Sequence, residues 1–445
     1  TSGETDDLGY GLVSTLTSKL QPLQNLVIIA NESARKFKDT ELSPKEIGQV
    51  LRVGTIVTGE IQTSEEKVQV NIRVIDANTE ALGWGSTFMK SKNDFLDLQN
   101  EIATKLASEL KGQLDASEAQ QLAQKATDNP EANAEYQKGR REWNKRTEDG
   151  FKNAIKHFEK AILLDASYAN PYAGLADTYS LFPAYYLKTG IEVMPKAKSN
   201  AEKAIQLNPK LAEAYTSLAW IQMTFEYDWL ESEKNYKKAI SLNPNYATNY
   251  HWYGLLLNVS GKASEAINYL KKALELEPTS LIIPTNLSQA YIFNNQPNLA
   301  MNAFDIAAKI NPDFPSNLWN YVRCQTDYKI SINKLKNSVN DNPDSPMLRR
   351  FLFWAFVKNG DLDLAKDEMI YSLDNFHDKM TVGFAEMYAA LGKYDEALKW
   401  IKKGILLKET PVVFITINYD FPNEFKSDLR FVKLMKSINH PMYVD

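Results

Sequence analysis

The chain has 445 residues, 44% of them hydrophobic and 24% charged, which is the balance of a folded protein too long for one ordinary core. Its formal net charge of -5, from 51 basic and 56 acidic residues, gives no electrostatic reason to expect nucleic acid or an anionic membrane surface as a partner. One cysteine, Cys324, excludes an intrachain disulfide, and no apolar run approaches the roughly 18 to 20 residues of a membrane span.

The first 115 residues read as a small α+β domain with a mixed sheet and helices. Leu8, Leu12, Val13, Leu16 and Leu20 recur at helical spacing, predicting an amphipathic helix over 7–20. Leu26 to Ala30 is a short β-branched run that reads as a buried strand. Ser43-Pro44 supplies a cap and a first-turn proline for a helix to about Val50. From Gly54 the period changes to two, and 55–62, 67–76 and 81–89 predict an antiparallel meander with polar turns between. Phe95, Leu98, Ile102, Leu106 and Leu110 then mark a helix over 94–112. A lone strand at 26–30 needs a partner, so a further strand is expected upstream of Thr1, and the opening Thr-Ser-Gly-Glu suggests a fragment or processed form. Residues 116–132 read as a stiff helical linker.

From 133 to 410 one phrase keeps returning: Lys203-Ala-Ile-Gln-Leu-Asn-Pro209, Lys238-Ala-Ile-Ser-Leu-Asn-Pro244, Lys272-Ala-Leu-Glu-Leu-Glu-Pro278, then Ala307 to Pro312. The prolines stand 35, 34 and 34 residues apart, with Pro343 following after 31. A fixed period near 34 means stacked two-helix units that bury their apolar stripes against neighbours. Seven to eight units are expected, forming an all-α superhelical solenoid. The sixth, 316–343, keeps few signature residues. An aromatic insertion, Phe182 to Gly190, interrupts the second unit and reads as an interaction loop or a flap over neighbouring helices. Residues 411–445 read as a cap over the last repeat's apolar face.

Residues 3–16, 26–30, 46–61 and 74–79 together resemble the TolB-amino-terminal-like (FlgO-like) domain, and the repeats resemble tetratricopeptide repeats. This pairing resembles the C-terminal half of bacterial proteins headed by an adenylate cyclase, a winged-helix regulator or a Ser/Thr kinase. The resemblance implies a non-catalytic sensor or scaffold region that captures a protein or peptide partner. In tetratricopeptide arrays the first helix of each unit lines a concave groove. Carried onto this chain, the groove positions are Tyr172, Asp177, Thr216, Trp220, Met223, His251, Asn258, Thr285, Gln289 and Phe293. Aromatics and neutral amides of this kind suit an extended peptide, while the alternative is that the aromatics are inter-repeat core.

No catalytic constellation is legible. His157, His251, His377 and His440 have no metal-ligand spacing, Cys324 has no adjacent base, and Gly9-x-Gly11 and Gly83-x-Gly85 do not extend to a phosphate loop. No catalytic, cofactor-binding or metal residue is therefore expected, and no cofactor. Two other readings stay open: a small-molecule-sensing front domain with repeats for oligomerisation as a homodimer, and a cell-envelope assembly scaffold. A membrane helix upstream of Thr1 would place the chain in the periplasm; otherwise the cytoplasm is expected.

Overall fold

The structure is a computed structural model that describes residues 2–311, 328–417 and 421–444. The front residues form α1 (Ser2–Leu20), a short α2 (Asn31–Arg35), α3 (Pro44–Leu51), strands β1 (Thr55–Thr63), β2 (Lys67–Asp76) and β3 (Leu82–Ser91), and α4 (Phe95–Lys111). The sheet is a plain meander in the order β1-β2-β3, both pairs antiparallel, with Thr55 opposite Asp76 and Thr63 opposite Val68. Alternation decides which face is covered: Val68, Val70, Ile72 and Val74 on β2 are all buried, against Leu12, Leu16 and Leu20 of α1 and Leu98, Ile102 and Leu106 of α4. Local chemistry fixes the ends. Ser43 and Glu46 form a reciprocal capping box at α3, and Asp76 Oδ1 accepts from the backbone N–H of Asn78 and Thr79 in the β2–β3 turn.

One expectation needs correcting. The sheet is not mixed but wholly antiparallel with three strands. Residues 26–30 form no strand of the sheet, and their backbone groups find partners on the repeat array, described below. The expected helical linker is partly so: α5 (Ala116–Ala123) is followed by a non-helical stretch to Asn129.

The array then proceeds as helix pairs: α6 (Pro130–Asn144) with α7 (Glu148–Leu164), α8 (Ala169–Leu181) with α9 (Gly190–Leu207), and α10 (Ala212–Ile221) with α11 (Trp229–Leu242). Next come α12 (Ala247–Val259) with α13 (Ala263–Leu276), and α14 (Ile282–Phe293) with α15 (Pro297–Ile310). Helix α16 (Tyr328–Asp341) follows, then α17 (Pro346–Asn359) with α18 (Leu362–Phe376), and α19 (Thr381–Ala390) with α20 (Tyr394–Leu406). The first half of the expected sixth unit lies outside the described residues, as does Cys324. The recurring small residues set the close approach of paired helices. A Cβ on Gly174 would stand 2.6 Å from the Phe158 ring, and one on Gly139 would stand 2.5 Å from it, so α6 and α8 both close onto this side chain of α7.

The tail does more than cap. Phe425 on α21 (Asn423–Lys426) and Phe431 and Met435 on α22 (Leu429–Ser437) bury against Ala397, Leu398 and Ile401 of the last pair, as expected of a cap. It also crosses the solenoid: Trp229 Nε1, on α11, donates to the Ile438 carbonyl at 3.1 Å. The 3-10 segment Thr410–Ile417 lies against the middle of the array, where the Phe414 ring centroid is 6.2 Å from that of Trp220. The aromatic insertion reaches across as well, with Arg350 Nη1 of α17 donating to the Tyr186 hydroxyl at 3.3 Å. The loop between α8 and α9 is thereby tied to α17 across the array.

Candidate functional site

The inner face of the array is built by the first helix of each pair, and a polar lane runs along it. On α6, Arg140 Nη1 donates to Asp177 Oδ2 of α8 at 3.0 Å, and Ser217 Oγ of α10 donates to Asp177 Oδ1 at 2.5 Å. Thr216 Oγ1 of α10 meets Asn249 Oδ1 of α12 at 3.1 Å, and His251 Nε2 of α12 meets the Asn286 amide of α14 at 2.7 Å. Each contact joins one repeat to the next. Burial pushes the Asp177 carboxyl up, against the pull of Arg140 and Ser217, and burial holds the His251 imidazole down to about 3, so it is neutral.

The ten groove positions therefore divide. Asp177, Thr216 and His251 stitch repeats together and are buried. Trp220 and Met223 are core: the Trp220 ring packs 4.9 Å from that of Trp252 and its Nε1 donates to the Ser180 carbonyl. Asn258 and Thr285 are also buried, the latter donating to the Leu281 carbonyl of its own helix. Tyr172, Gln289 and Phe293 remain part-exposed. The shared spacing brings these side chains to one face, but the chain's own front and tail segments cover much of that face.

Between α1, the linker and the first repeats lies a cavity of about 460 Å³, whose walls include Tyr10, Tyr136, Arg140, Trp143, Glu213 and Tyr246. Arg146 stacks on Trp143 with its guanidinium carbon 3.5 Å from the ring centre, and Arg140 lies 4.3 Å from the same centre. Both signs of charge line the chamber, since Glu213 and Glu277 face it alongside the arginines. At its front wall the Tyr10 ring carries two guanidiniums, Arg35 of α2 at 4.4 Å and Arg141 of α6 at 4.8 Å, and Arg141 Nη2 donates to Asp7 at 2.6 Å. Lys19 Nζ closes the edge by donating to the carbonyls of Leu122 and Gln124.

The seam between front residues and array is written mostly in hydrogen bonds between a side chain of one part and the backbone of the other. Asn245, 2% exposed in the loop between α11 and α12, accepts from the Ile28 N–H at 3.2 Å and donates to the carbonyls of Leu26 and Gln21 at 2.9 and 2.8 Å. The Ala30 N–H donates to the Leu276 carbonyl at 2.8 Å. Ser33 Oγ accepts from the Thr279 N–H at 3.2 Å, and Lys36 Nζ donates to the Thr279 carbonyl at 2.7 Å. Neither Asn245 nor Arg140 stands out in the sequence. The one available signal is that Asn245 takes the place held by Lys210 and Thr279 in neighbouring loops.

Among the described residues no group of three or more His, Cys, Asp or Glu side chains is placed to hold a metal ion, and no helix is long and apolar enough to cross a membrane.

Tetratricopeptide repeat models match residues 260–321 and 382–411, so the array contains tetratricopeptide repeats. The chain is 27% identical over 144 residues to the transcriptional regulator HilA of Salmonella typhimurium, a stretch covering 32% of this chain and 26% of that one. It is 22% identical over 134 residues to the putative adenylate cyclase 3 of Rhizobium meliloti, covering 29% and 23%. The matched stretch thus spans about a quarter of these curated relatives. Among solved structures, yeast Tom70 aligns with a TM-score of 0.43 at 16% identity, covering 78% of this chain and 85% of that one.

Proposed function

We propose that this chain is a non-catalytic interaction scaffold, the regulatory portion of a bacterial signalling protein, which takes a protein or peptide partner on the inner face of its tetratricopeptide array. The observation that carries this reading is the array itself. Seven complete helix pairs are present among the described residues, and two stretches match tetratricopeptide models. Such arrays offer an extended concave surface made for contact rather than for a buried reaction centre. The partial likeness to a transcriptional regulator and to a putative adenylate cyclase supports a regulatory setting. The TolB-like reading of the front residues belongs to the same proposal, and its support is the order of helix, meander and helix on residues 2–111.

Tyr172, Gln289 and Phe293 are the groove positions through which the partner is read, because they remain part-exposed on the inner helices. The test is affinity capture with the full chain beside Tyr172→Ala/Gln289→Ala, followed by titration of the purified captured partner. Capture by the parent and at least a tenfold weaker titration of an equally stable variant supports the groove. Equal binding by both places the partner elsewhere on the array, and no partner by either route contradicts the scaffold reading.

A further inference from the structure

Asn245 and Thr279 stand one repeat apart, each the residue after the proline of its inter-repeat loop, Asn243-Pro244-Asn245 and Glu277-Pro278-Thr279. Between them they hold Leu26 to Ser33. Leu26, Ile28 and Ala30 turn their backbone groups to the array, the alternate residues that an extended strand presents to one neighbour. Their side chains are not what the array reads. Leu26 and Ile28 pack with the front domain's own core, and Val27 is 52% exposed. The only side chain of this segment read by the loops is Ser33, fully buried, whose hydroxyl oxygen also lies 3.0 Å from Thr279 Oγ1. Asn245 is itself held ready, its N–H donating to Asn243 Oδ1 at 3.1 Å within the loop. A buried amide that both accepts from and donates to the main chain recognises an extended backbone whatever its sequence.

The surrounding contacts are of the reversible kind. Beyond the loops, front and array also meet through the Asp7–Arg141 ion pair and the Arg141 guanidinium over the Tyr10 ring, polar contacts of the sort found between domains that separate.

We propose that Asn245, Leu276 and Thr279 form a docking edge for a short extended polypeptide segment that runs into a helical turn bearing a Ser or Thr hydroxyl, that Leu26–Ser33, with Ser33 in the first turn of α2, is its resident occupant, and that a partner's segment takes the same place when the front domain lifts away. This goes beyond the scaffold reading and rests on it: besides the groove, a partner's segment enters along the inter-repeat loops, and the chain's own front competes with it there.

The probe is a fluorescein-labelled peptide of residues 24–36, titrated into the full chain and followed by anisotropy. Ile28→Pro/Ser33→Ala removes the Ile28 N–H that Asn245 accepts from and the Ser33 hydroxyl while leaving every dock atom in place. The labelled peptide should bind this variant at least tenfold more tightly than the parent, and adding Asn245→Ala should return binding to the parent level or below. Equal affinity for parent and variant, or an affinity that Asn245→Ala leaves unchanged, overturns the proposal. Amide exchange at Ala30 serves as an independent readout of opening. Full protection of Ala30 in the double variant would show that these bonds do not hold the segment, which also overturns it. A doubled mass of the variant in light scattering that the peptide does not reverse puts a second copy in the dock instead. Failure of the peptide with partner capture intact removes this inference alone, whereas loss of capture removes the scaffold reading.

Discussion

The Arg140 guanidinium donates to the Asp177 carboxylate at 3.0 Å across the first two repeats, where Asp177 is 1% exposed and also accepts from Ser217. Removing one member of such a pair leaves the other charge buried without compensation, which costs about 3–5 kcal/mol. Asp177→Ala is therefore expected to lower the urea midpoint strongly, and Arg140→Leu/Asp177→Leu to lose much less than the single change. A double variant as unstable as Asp177→Ala would show that the pair is not coupled.

Phe158 is enclosed by two glycines, so the tightness of the first repeats is testable at a single methyl. Gly174→Ala puts a Cβ 2.6 Å from the ring and is expected to cost about 1–3 kcal/mol, by the usual scale for overpacking. Phe158→Leu in the same background should recover part of that loss in thermal melts. A Gly174→Ala chain as stable as the parent would contradict the close approach of α7 and α8.

The groove aromatics separate by role. Trp220, packed between Trp252 and Phe414, is expected to cost about 3–5 kcal/mol when cut to alanine. Tyr172, part-exposed, should stay within about 0.5 kcal/mol of the parent on the same change. Denaturant midpoints of the two variants decide it; the reverse order would make Trp220 a surface residue.

Glu277 gives the seam between front and array a pH dependence. Burial lifts its carboxyl from 4.5 to about 7, Glu32 adds to the rise, and Arg146, Lys36 and the Ser280 hydroxyl oppose it. The folded chain keeps this proton at pH values where the unfolded chain has released it. Stability tied to Glu277 is thus fully present below about pH 4.5, is lost as pH rises toward 7, and stays lost above. Glu277→Gln should flatten this slope and melt higher than the parent at pH 8. A parent whose stability rises through that window, with Glu277→Gln falling below it at pH 8, would contradict the assignment.

Much of the fold was legible because it is periodic. Alternation on β2 and the small residues at a fixed repeat spacing each report a face directly, and the structure places α1, α3, the meander and α4 within a few residues of the expected bounds, α1 beginning five residues early. Position in a repeat, however, says which way a side chain points and not what lies opposite. Trp220 and Met223 do point inward, but the segment 410–417, nearly two hundred residues later, fills the space before them. The β-branched run at 26–30 predicts a strand and hence a partner in a sheet, yet the structure forms no strand there. Its true partners are an asparagine side chain and the carbonyl at the C-terminus of α13, each more than two hundred positions away, and no local pattern encodes a contact of that separation.

Hydrogen exchange of the Ile28 and Ala30 amides, in the parent and in Asn245→Ala, tests most directly whether the Asn245 side chain holds the front domain's Leu26–Ala30 segment on the array. The account predicts slow exchange at both amides in the parent and fast exchange in Asn245→Ala, with the β2 amides and those of α12 still protected in each. Fast exchange at Ile28 and Ala30 in the parent, or protection that survives Asn245→Ala, would contradict it.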